Sequence, residues 1–401
     1  MDNIFPSNLD RKNFSMKQKI LGLCSSYGDY SLADLSRELN SSIPTTTKIV
    51  GELIDEGFLM DMGKIDTNGG RRPSIFGLNP SAGYLVGISE RVDGTGISVT
   101  DFKGGLIISD DSLDFIIETT EESFRNLCKR IKKYLNDNNI EHSKVLAYGI
   151  NLSGRVNKDT GIFFNYHTGD EVPVADMLEK AGFEAPVFLE NDSRAMTYGE
   201  YIYSTEAKGQ DMIFLNVSWG LGMGMILNGK LHYGKSGFSG EIGHTPVLEN
   251  NQICRCGKTG CLETGASGQA LHRMVLEKLS SGRKSMLTAK FNSQEKIGIK
   301  DIMNAVLHED VLAIETLEEI GLILGRAISG LINLFNPDQV VIGGGLAAAE
   351  EYLMLPVRSA LQKYSLSSIK KDTVVRFSKL GMNAGPLGAC VLSRSKLLGL
   401  L

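Results

Sequence analysis

Residues 84–111, YLVGISERVDGTGISVTDFKGGLIISDD, and residues 211–234, DMIFLNVSWGLGMGMILNGKLHYG, follow one plan. Each is a set of apolar, β-branched runs broken by a polar turn and then a glycine turn, which reads as strand, turn, strand, glycine turn, strand. Helical sequence and later strands follow both. Two repeats of one α/β pattern predict two related halves with a ligand cleft between them. The second half continues into a long helix over residues 311–334. Asn336-Pro337 ends it, because the residue before proline is pushed out of the helical region. The run QVVIGGGLA is then a strand entering a glycine turn and another helix.

The 401 residues suffice for a small domain and two medium ones. Apolar residues make up 42% and charged residues 22%, an ordinary globular composition. The net charge of −5 gives no global signal for nucleic acid. The N-terminal MDNIFPSNLDRKNF places charges where a signal peptide needs an apolar stretch, and no apolar run reaches the ~18 residues of a membrane helix. A cytoplasmic protein without membrane association is expected. Cys24, Cys128 and Cys390 stand apart in apolar surroundings and read as buried, reduced thiols.

Residues 1–80 differ from the rest. MKQKILGLCSSYGDY predicts a first helix with Ile20, Leu21 and Leu23 on its apolar side. Ser31 caps SLADLSREL and Ser42 caps SIPTTTKIVGELIDEGFL, since a serine hydroxyl accepts from the free amides of a first turn. Pro44 is tolerated in that turn. Ile49, Val50, Leu53 and Ile54 have helical spacing. Two short strands, FLMDM and SIFGLN, flank the polar loop GKIDTNGGRRP. Helix, helix, turn, helix and hairpin make a winged helix-turn-helix. Thr45, Thr46, Thr47 and Lys48 at the start of the third helix can reach bases or phosphates. Arg71 and Arg72, between glycines and Pro73, suit a narrow minor groove. A winged helix used for protein contacts is the other reading.

His244–Cys261, HTPVLENNQICRCGKTGC, supplies His244, Cys254, Cys256 and Cys261. Three thiolates and an imidazole are a tetrahedral Zn2+ set, and four protein ligands leave no open position, so the metal would be structural. Gly257 and Gly260 permit the tight turns between the thiols. Reduced thiols or a stray disulfide are the alternatives.

These segments together resemble the ROK family of repressors, uncharacterised open reading frames and sugar kinases, in its repressor branch. The likeness covers nearly the whole chain. It rests on the cysteine cluster with GEIGH before it, LENDSRAM, SWGLGMGMILNGKL, IGGGLA, and GGRRP in the wing. It implies an N-terminal winged helix-turn-helix followed by a two-lobed α/β sugar-kinase-like module of actin-like fold. The lobes would span 81–193, joined by the C-terminal helix at about 383–401, and 194–382, with the zinc site and an oligomerisation surface. By the same likeness Gly154 and Arg155 lie beside a sugar, and Asn191 and Asp192 bind its hydroxyls. Glu241, His244 and Glu263 would make further contacts, and His167, next to Asn165, another. In the kinases the aspartate is also the catalytic base. Ordinary surface or capping carboxylates are the alternative for Asp192 and Glu241. Carboxylates and amides suit sugars because they offer dense, planar hydrogen-bonding groups. A zinc-bound histidine can still donate its second N–H to a hydroxyl, with its tautomer fixed by the metal.

A kinase of this family needs Asp-x-Gly-Gly-Thr after its first strand, where glycines let backbone amides approach phosphate. Here Ser89-Glu90-Arg91-Val92-Asp93 occupies that place, and Leu221 stands where the second phosphate loop has threonine. Gly343, Gly344 and Gly345 persist, where they can pack a strand against a helix. The expectation is a sugar-responsive repressor binding operator DNA as a homodimer or homotetramer, with structural Zn2+ and without ATP. An ATP-dependent sugar kinase with an added DNA-binding domain is the rival. A scaffold answering to a partner protein is a third reading.

Overall fold

The computed structural model describes residues 11–64, 73–92, 94–157, 160–164, 170–204, 207 and 209–401. Arg71, Arg72, Asp93, Asn165 and His167 lie outside the described residues. The chain divides into two compact units. One comprises Met1–Leu152, Pro173–Glu190 and Pro386–Leu401, and the other Ser153–Val172 and Asn191–Gly385.

The first unit begins with three helices, α1 (Arg11–Tyr27), α2 (Leu32–Glu38) and α3 (Ile43–Asp55). The Ser31 hydroxyl accepts from the Asp34 amide at 3.2 Å and that of Ser42 from the Thr45 amide at 3.3 Å, so both expected caps form. Strands Leu59–Lys64 and Ser74–Leu78 pair antiparallel, and Tyr30–Ser31 adds a short third strand against Phe76 and Ile75. Ile20, Leu21, Leu35, Ile49 and Leu53 form the core of this segment, and it is shared with Phe102 and Leu398 from the α/β part of the same unit. The Phe58 and Phe102 rings meet at 5.6 Å. Lys17 is buried between two carboxylates, Glu52 of α3 at 3.0 Å and Glu56 at its C-terminal cap at 2.6 Å. Burial alone would lower its pKa, but the two carboxylates outweigh it and raise it.

The α/β part of this unit is a five-stranded sheet in the order Val187–Asn191, Val145–Leu152, Tyr84–Arg91, Gly94–Asp101, Leu106–Leu113. Tyr84–Arg91 runs parallel to Val145–Leu152 and antiparallel to Gly94–Asp101. The C-terminal helix, Ala384–Leu397, lies on this sheet. Gly87 and Gly149 admit it. A Cβ on Gly87 would stand 1.9 Å from the Pro386 carbonyl oxygen, and one on Gly149 2.3 Å from that of Ala389.

The second unit repeats the plan. Its sheet runs Lys230–Leu231, Leu221–Leu227, Met212–Val217, Gln339–Gly343, Val374–Phe377. The first hairpin is antiparallel, and Gln339–Gly343 lies parallel to Met212–Val217. The long helix, Val311–Phe335, starts on an Asp310 cap. It stops at Asn336, which adopts a left-handed conformation (φ 44°) before Pro337. Leu317, Ile320, Leu324, Ile328 and Ile332 bury its apolar face against Leu353 and Val357 of the helix Glu351–Tyr364.

Candidate functional site

His244, Cys254, Cys256 and Cys261 place one ligand atom each within 4.8 Å of all the others. Cys254 Sγ lies 3.4 Å from His244 Nδ1, and Cys256 Sγ 3.6 Å from Cys261 Sγ. A tetrahedron with zinc-ligand bond lengths has edges of roughly 3.8 Å between sulfurs and roughly 3.6 Å between sulfur and nitrogen, so the donor set fits the ion. The backbone makes this possible by turning twice in the left-handed region, at Gly257 (φ 81°) and Gly260 (φ 76°). The Cys254 amide bonds the Lys258 carbonyl at 2.8 Å and closes the knuckle. Burial pushes the Cys254 thiol up to about 12. Cys256 goes the other way. Burial raises it, but the Lys258 amide and the neighbouring thiols outweigh that and lower it. All six cysteines are free thiols, and Cys24, Cys128 and Cys390 are buried as expected.

Asp192 opens the helix Asp192–Tyr203, with Asn191 as its cap. The Asn191 Oδ1 accepts from the Arg194 amide at 3.1 Å. Its Nδ2 donates to the Gly154 carbonyl at 2.9 Å and to Asp192 at 3.0 Å. Asn191 therefore holds Gly154 and Asp192 together. Asp192 also accepts from the Ser193 amide at 2.7 Å and from Asn216 Nδ2 at 3.3 Å. Burial raises its pKa against those donors. Gly154 has φ 147°, and a Cβ there would meet the Phe163 ring at 2.6 Å. Arg155, half-buried, begins a two-residue strand that pairs with Phe163–Phe164.

Gly222 and Gly224 bring this helix close to the strand Leu221–Leu227. A Cβ on Gly222 would stand 2.1 Å from Ser193 Oγ, and one on Gly224 2.1 Å from Thr197 Oγ1. The glycines of SWGLGMG thus serve packing. Ser193, Thr197 and Asn216 support Asp192 and were not picked out by sequence. Their signal is small residues four apart on the helix facing glycines two apart on the strand.

Glu241 precedes the short turn Ile242–His244 without a side-chain capping bond, and the turn carries the histidine. His244 Nδ1 faces Cys254, and Nε2 lies 3.8 Å from Glu241 Oε2. The imidazole thus faces the thiols with one nitrogen and the carboxylate with the other. Burial lowers its pKa, which favours the neutral ring a metal needs. Glu263 is more enclosed than Asp192 and Glu241. It is 3% exposed, and both oxygens are engaged. Oε1 lies 3.0 Å from Arg255 Nε, while Oε2 accepts from Arg255 NH2 at 3.2 Å and from the Leu221 amide at 2.9 Å. These donors fix the carboxylate in place. Arg255, between two of the cysteines, is a fourth residue that sequence reasoning missed.

The segments expected to stand in place of the kinase phosphate loops hold other structure. Ser89 is buried in the ladder between Gly96 and Asn151, and the hairpin stays paired to Arg91 opposite Gly94. Arg91 NH1 donates to the Asp111 carbonyl at 3.2 Å. Gly343 and Gly344 do not pack a strand against a helix. They lie against the neighbouring strand and the loop after it. A Cβ on Gly343 would meet the Phe214 ring at 2.3 Å, and one on Gly344 would meet Ser218 Oγ at 2.6 Å.

In α3 the expected row of contacts divides. Thr45, Thr47 and Lys48 are exposed. Thr46 is fully buried and faces the helical core, so it cannot reach a base edge, and its place in the row is corrected. Successive residues of a helix point about 100° apart, which is why three consecutive threonines cannot share a face.

Paired mixed sheets, a carboxylate at a helix start and a Cys3His knuckle beside it define a sugar-kinase-like module. The ROK family model matches residues 96–396, and the chain belongs to that family. It is 28% identical over 360 residues to the xylose repressor of Bacillus subtilis (strain 168), covering 89% of each chain. Among solved structures it resembles a ROK family transcriptional regulator described as a homologue of the E. coli MLC protein, with TM-score 0.79, 26% identity and 98% of both chains covered. It also resembles a ROK glucokinase from Streptomyces griseus in complex with glucose and AMPPNP, with TM-score 0.69, 26% identity, 78% of this chain and 100% of the other. The α/β part thus has the actin-like fold of that family. Among the described residues no helix is long and apolar enough to cross a membrane.

Proposed function

We propose that the chain is a sugar-responsive, DNA-binding transcriptional regulator, a repressor of carbohydrate-utilisation genes relieved by a sugar or sugar derivative. One observation carries the reading. The likeness to the ROK regulator runs through 98% of both chains, N-terminal helices included, whereas the glucokinase likeness covers 78% of this one. The three helices and hairpin are read as a winged helix-turn-helix. Its α3 offers Thr45, Thr47 and Lys48 to the major groove, and Arg71 and Arg72 of the wing serve the minor groove. Gly154, Arg155, Asn191, Asp192, Glu241, His244 and Glu263 form the sugar site, with His167 a further contact. Asp192 and Glu241 accept from hydroxyls, Asn191 and Gly154 hold Asp192 in place, and His244 donates through Nε2. The three thiols and His244 Nδ1 hold a structural zinc, which when bound supplies a fixed tautomer for that donation.

Binding of DNA by a dimer or tetramer makes the response possible. Half-sites lie about 34 Å or a multiple apart, so a small change in the spacing of two winged helices breaks simultaneous docking. The retained Asp192 favours a second reading, a sugar kinase. Against it stands the Ser89–Arg91 segment, built into a ladder without the glycines of a phosphate loop. The test is a panel of sugars followed by thermal shift and by coupled ADP release. The expected result is a raised melting temperature without turnover. Turnover near ~1–100 s⁻¹, abolished by Asp192→Asn, would replace the regulator with the kinase.

A further inference from the structure

The face of α3 that points away from the core carries an apolar residue at its start. Ile43, in the first turn, keeps 56% of its surface. Ile43, Thr47 and Gly51 stand four residues apart, so they form one ridge along the helix. Thr47 and the adjacent Lys48 are exposed. The hydroxyls of this stretch are already engaged. Thr47 Oγ1 donates to the Ile43 carbonyl at 2.8 Å. Thr45 Oγ1 lies 2.9 Å from Ser42 Oγ, which also accepts from the Thr45 amide at 3.3 Å. A hydroxyl proton spent within the helix is not donated to a base edge. What the ridge presents is therefore apolar, with the Ile43 side chain foremost.

Gly51 is a second and separate observation. A glycine inside a helix costs stability relative to alanine. Gly22, Gly321 and Gly325 also lie in helices, and each gives room to a neighbour. A Cβ on them would stand 2.6 Å from Leu400, 2.5 Å from Pro356 and 2.7 Å from Ala360. Gly51, like Gly330, has nothing within 4 Å. Its missing side chain serves no packing within the chain. The open space lies eight residues beyond Ile43 on the same ridge, hence about 12 Å further along the axis. That is about the width of the major groove. A helix whose first turn lies among the bases meets the phosphate backbone at such a distance. Lys48, between the two, has its side chain 71% exposed and supplies a positive charge for that backbone.

We infer that this ridge is the DNA-contacting face of α3, that Ile43 is a specificity-determining residue reading the C5-methyl group of a thymine, and that Gly51 admits the phosphate backbone. This rests on the reading of the N-terminal segment as a DNA-binding winged helix. In the major groove the methyl group marks thymine, and an apolar side chain recognises it. Asp55, one turn past Gly51, is exposed and repels phosphate, which confines the close approach to Gly51.

The test uses full-length, zinc-loaded protein and the tightest duplex it selects from a randomised pool, with binding followed by fluorescence anisotropy at fixed salt. Deoxyuridine replaces each thymine in turn, which removes the methyl group and keeps the base pair. At one thymine of a half-site this should weaken wild-type binding roughly fourfold, the worth of one buried methyl group. Ile43→Ala should bind the thymine duplex more weakly and lose nothing further on deoxyuridine substitution there. Ile43→Val should keep the sensitivity. Gly51→Ala should raise the melting temperature, because alanine favours the helix, and weaken DNA binding roughly fivefold or more. A glycine with only a structural role would not move the two in opposite directions. No effect of deoxyuridine at any thymine, or an effect undiminished in Ile43→Ala, would overturn the assignment of Ile43. Wild-type affinity in Gly51→Ala would overturn that of Gly51. In either case selective DNA binding leaves the regulator reading intact. A protein that enriches no duplex from the pool would overturn both.

Discussion

The two sheets use one device for different ends. In each unit a helix lies against strands whose glycines give it room. Over Gly87 and Gly149 the C-terminal helix presents backbone carbonyls and the buried thiol of Cys390, which bonds the Leu85 and Ser98 carbonyls of the strands, and the contact joins helix to sheet without a carboxylate. Over Gly222 and Gly224 the other helix presents Ser193 and Thr197, and its first residue is Asp192, at the centre of a hydrogen-bonded cluster. A glycine in a strand therefore marks where a helix approaches, and the chemistry depends on which residue that helix delivers.

The largest effect should come from the knuckle beside the second helix, which has no counterpart in the first unit among the described residues. Cys256→Ser should lower zinc from about one per chain to none. It removes a structural contribution on the order of 10 kcal/mol in small zinc folds, so a marked drop in melting temperature is expected. Sugar affinity should fall with it, because His244 turns one nitrogen to the thiols and the other toward Glu241. Metal analysis and calorimetry on the same sample check this. Unchanged sugar affinity after zinc loss would separate the two roles of His244.

Next come the glycines themselves. Gly87→Ala meets a backbone oxygen that cannot move without the helix, so it should cost about 1–3 kcal/mol and leave sugar affinity alone. Gly222→Ala meets the Ser193 hydroxyl, which can rotate, at a cost on the order of 0.5–1.5 kcal/mol. That rotation disturbs a group bonded to Asp192 and Asn216, so sugar binding should weaken roughly tenfold. Denaturant titration and calorimetry on both variants should give opposite orders. The same order in both measurements would dissolve the contrast.

The smallest effects lie in α3. Lys48→Ala should reduce the salt slope of operator binding by about 1 if it touches a phosphate. Thr46→Val should leave DNA binding intact. It should change stability by less than about 1 kcal/mol, toward greater stability, because the buried Thr46 hydroxyl has no hydrogen-bond partner among the described residues. A loss of operator affinity in Thr46→Val would restore that threonine to the contact row.

What was legible in the sequence was mostly local. Ser31 and Ser42 are read as caps because the bonded amide is three residues away, and Asn336-Pro337 marks its helix end in two residues. The Cys3His set is also local, needing 18 consecutive residues. The rest depends on distant partners. Tyr30–Ser31 becomes a strand only because Phe76 and Ile75 lie beside it. Glu263 is enclosed because the Leu221 amide, 42 residues earlier, donates to its carboxylate together with Arg255. The GLGMG run resembles a phosphate loop by composition, but its packing partners at Ser193 and Thr197 lie about 30 residues away and no periodicity links them. The buried Thr46 was within reach, since helical geometry alone separates it from Thr45 and Thr47.

The most direct test of the account is operator binding by the full-length, zinc-loaded protein, followed by fluorescence anisotropy at fixed salt with and without the sugar that raises its melting temperature. The account predicts that the sugar weakens operator affinity by roughly 5–150-fold, the range of ordinary allosteric coupling, and that Asp192→Asn removes the response while leaving DNA binding in place. Operator affinity indifferent to every sugar that binds would contradict it.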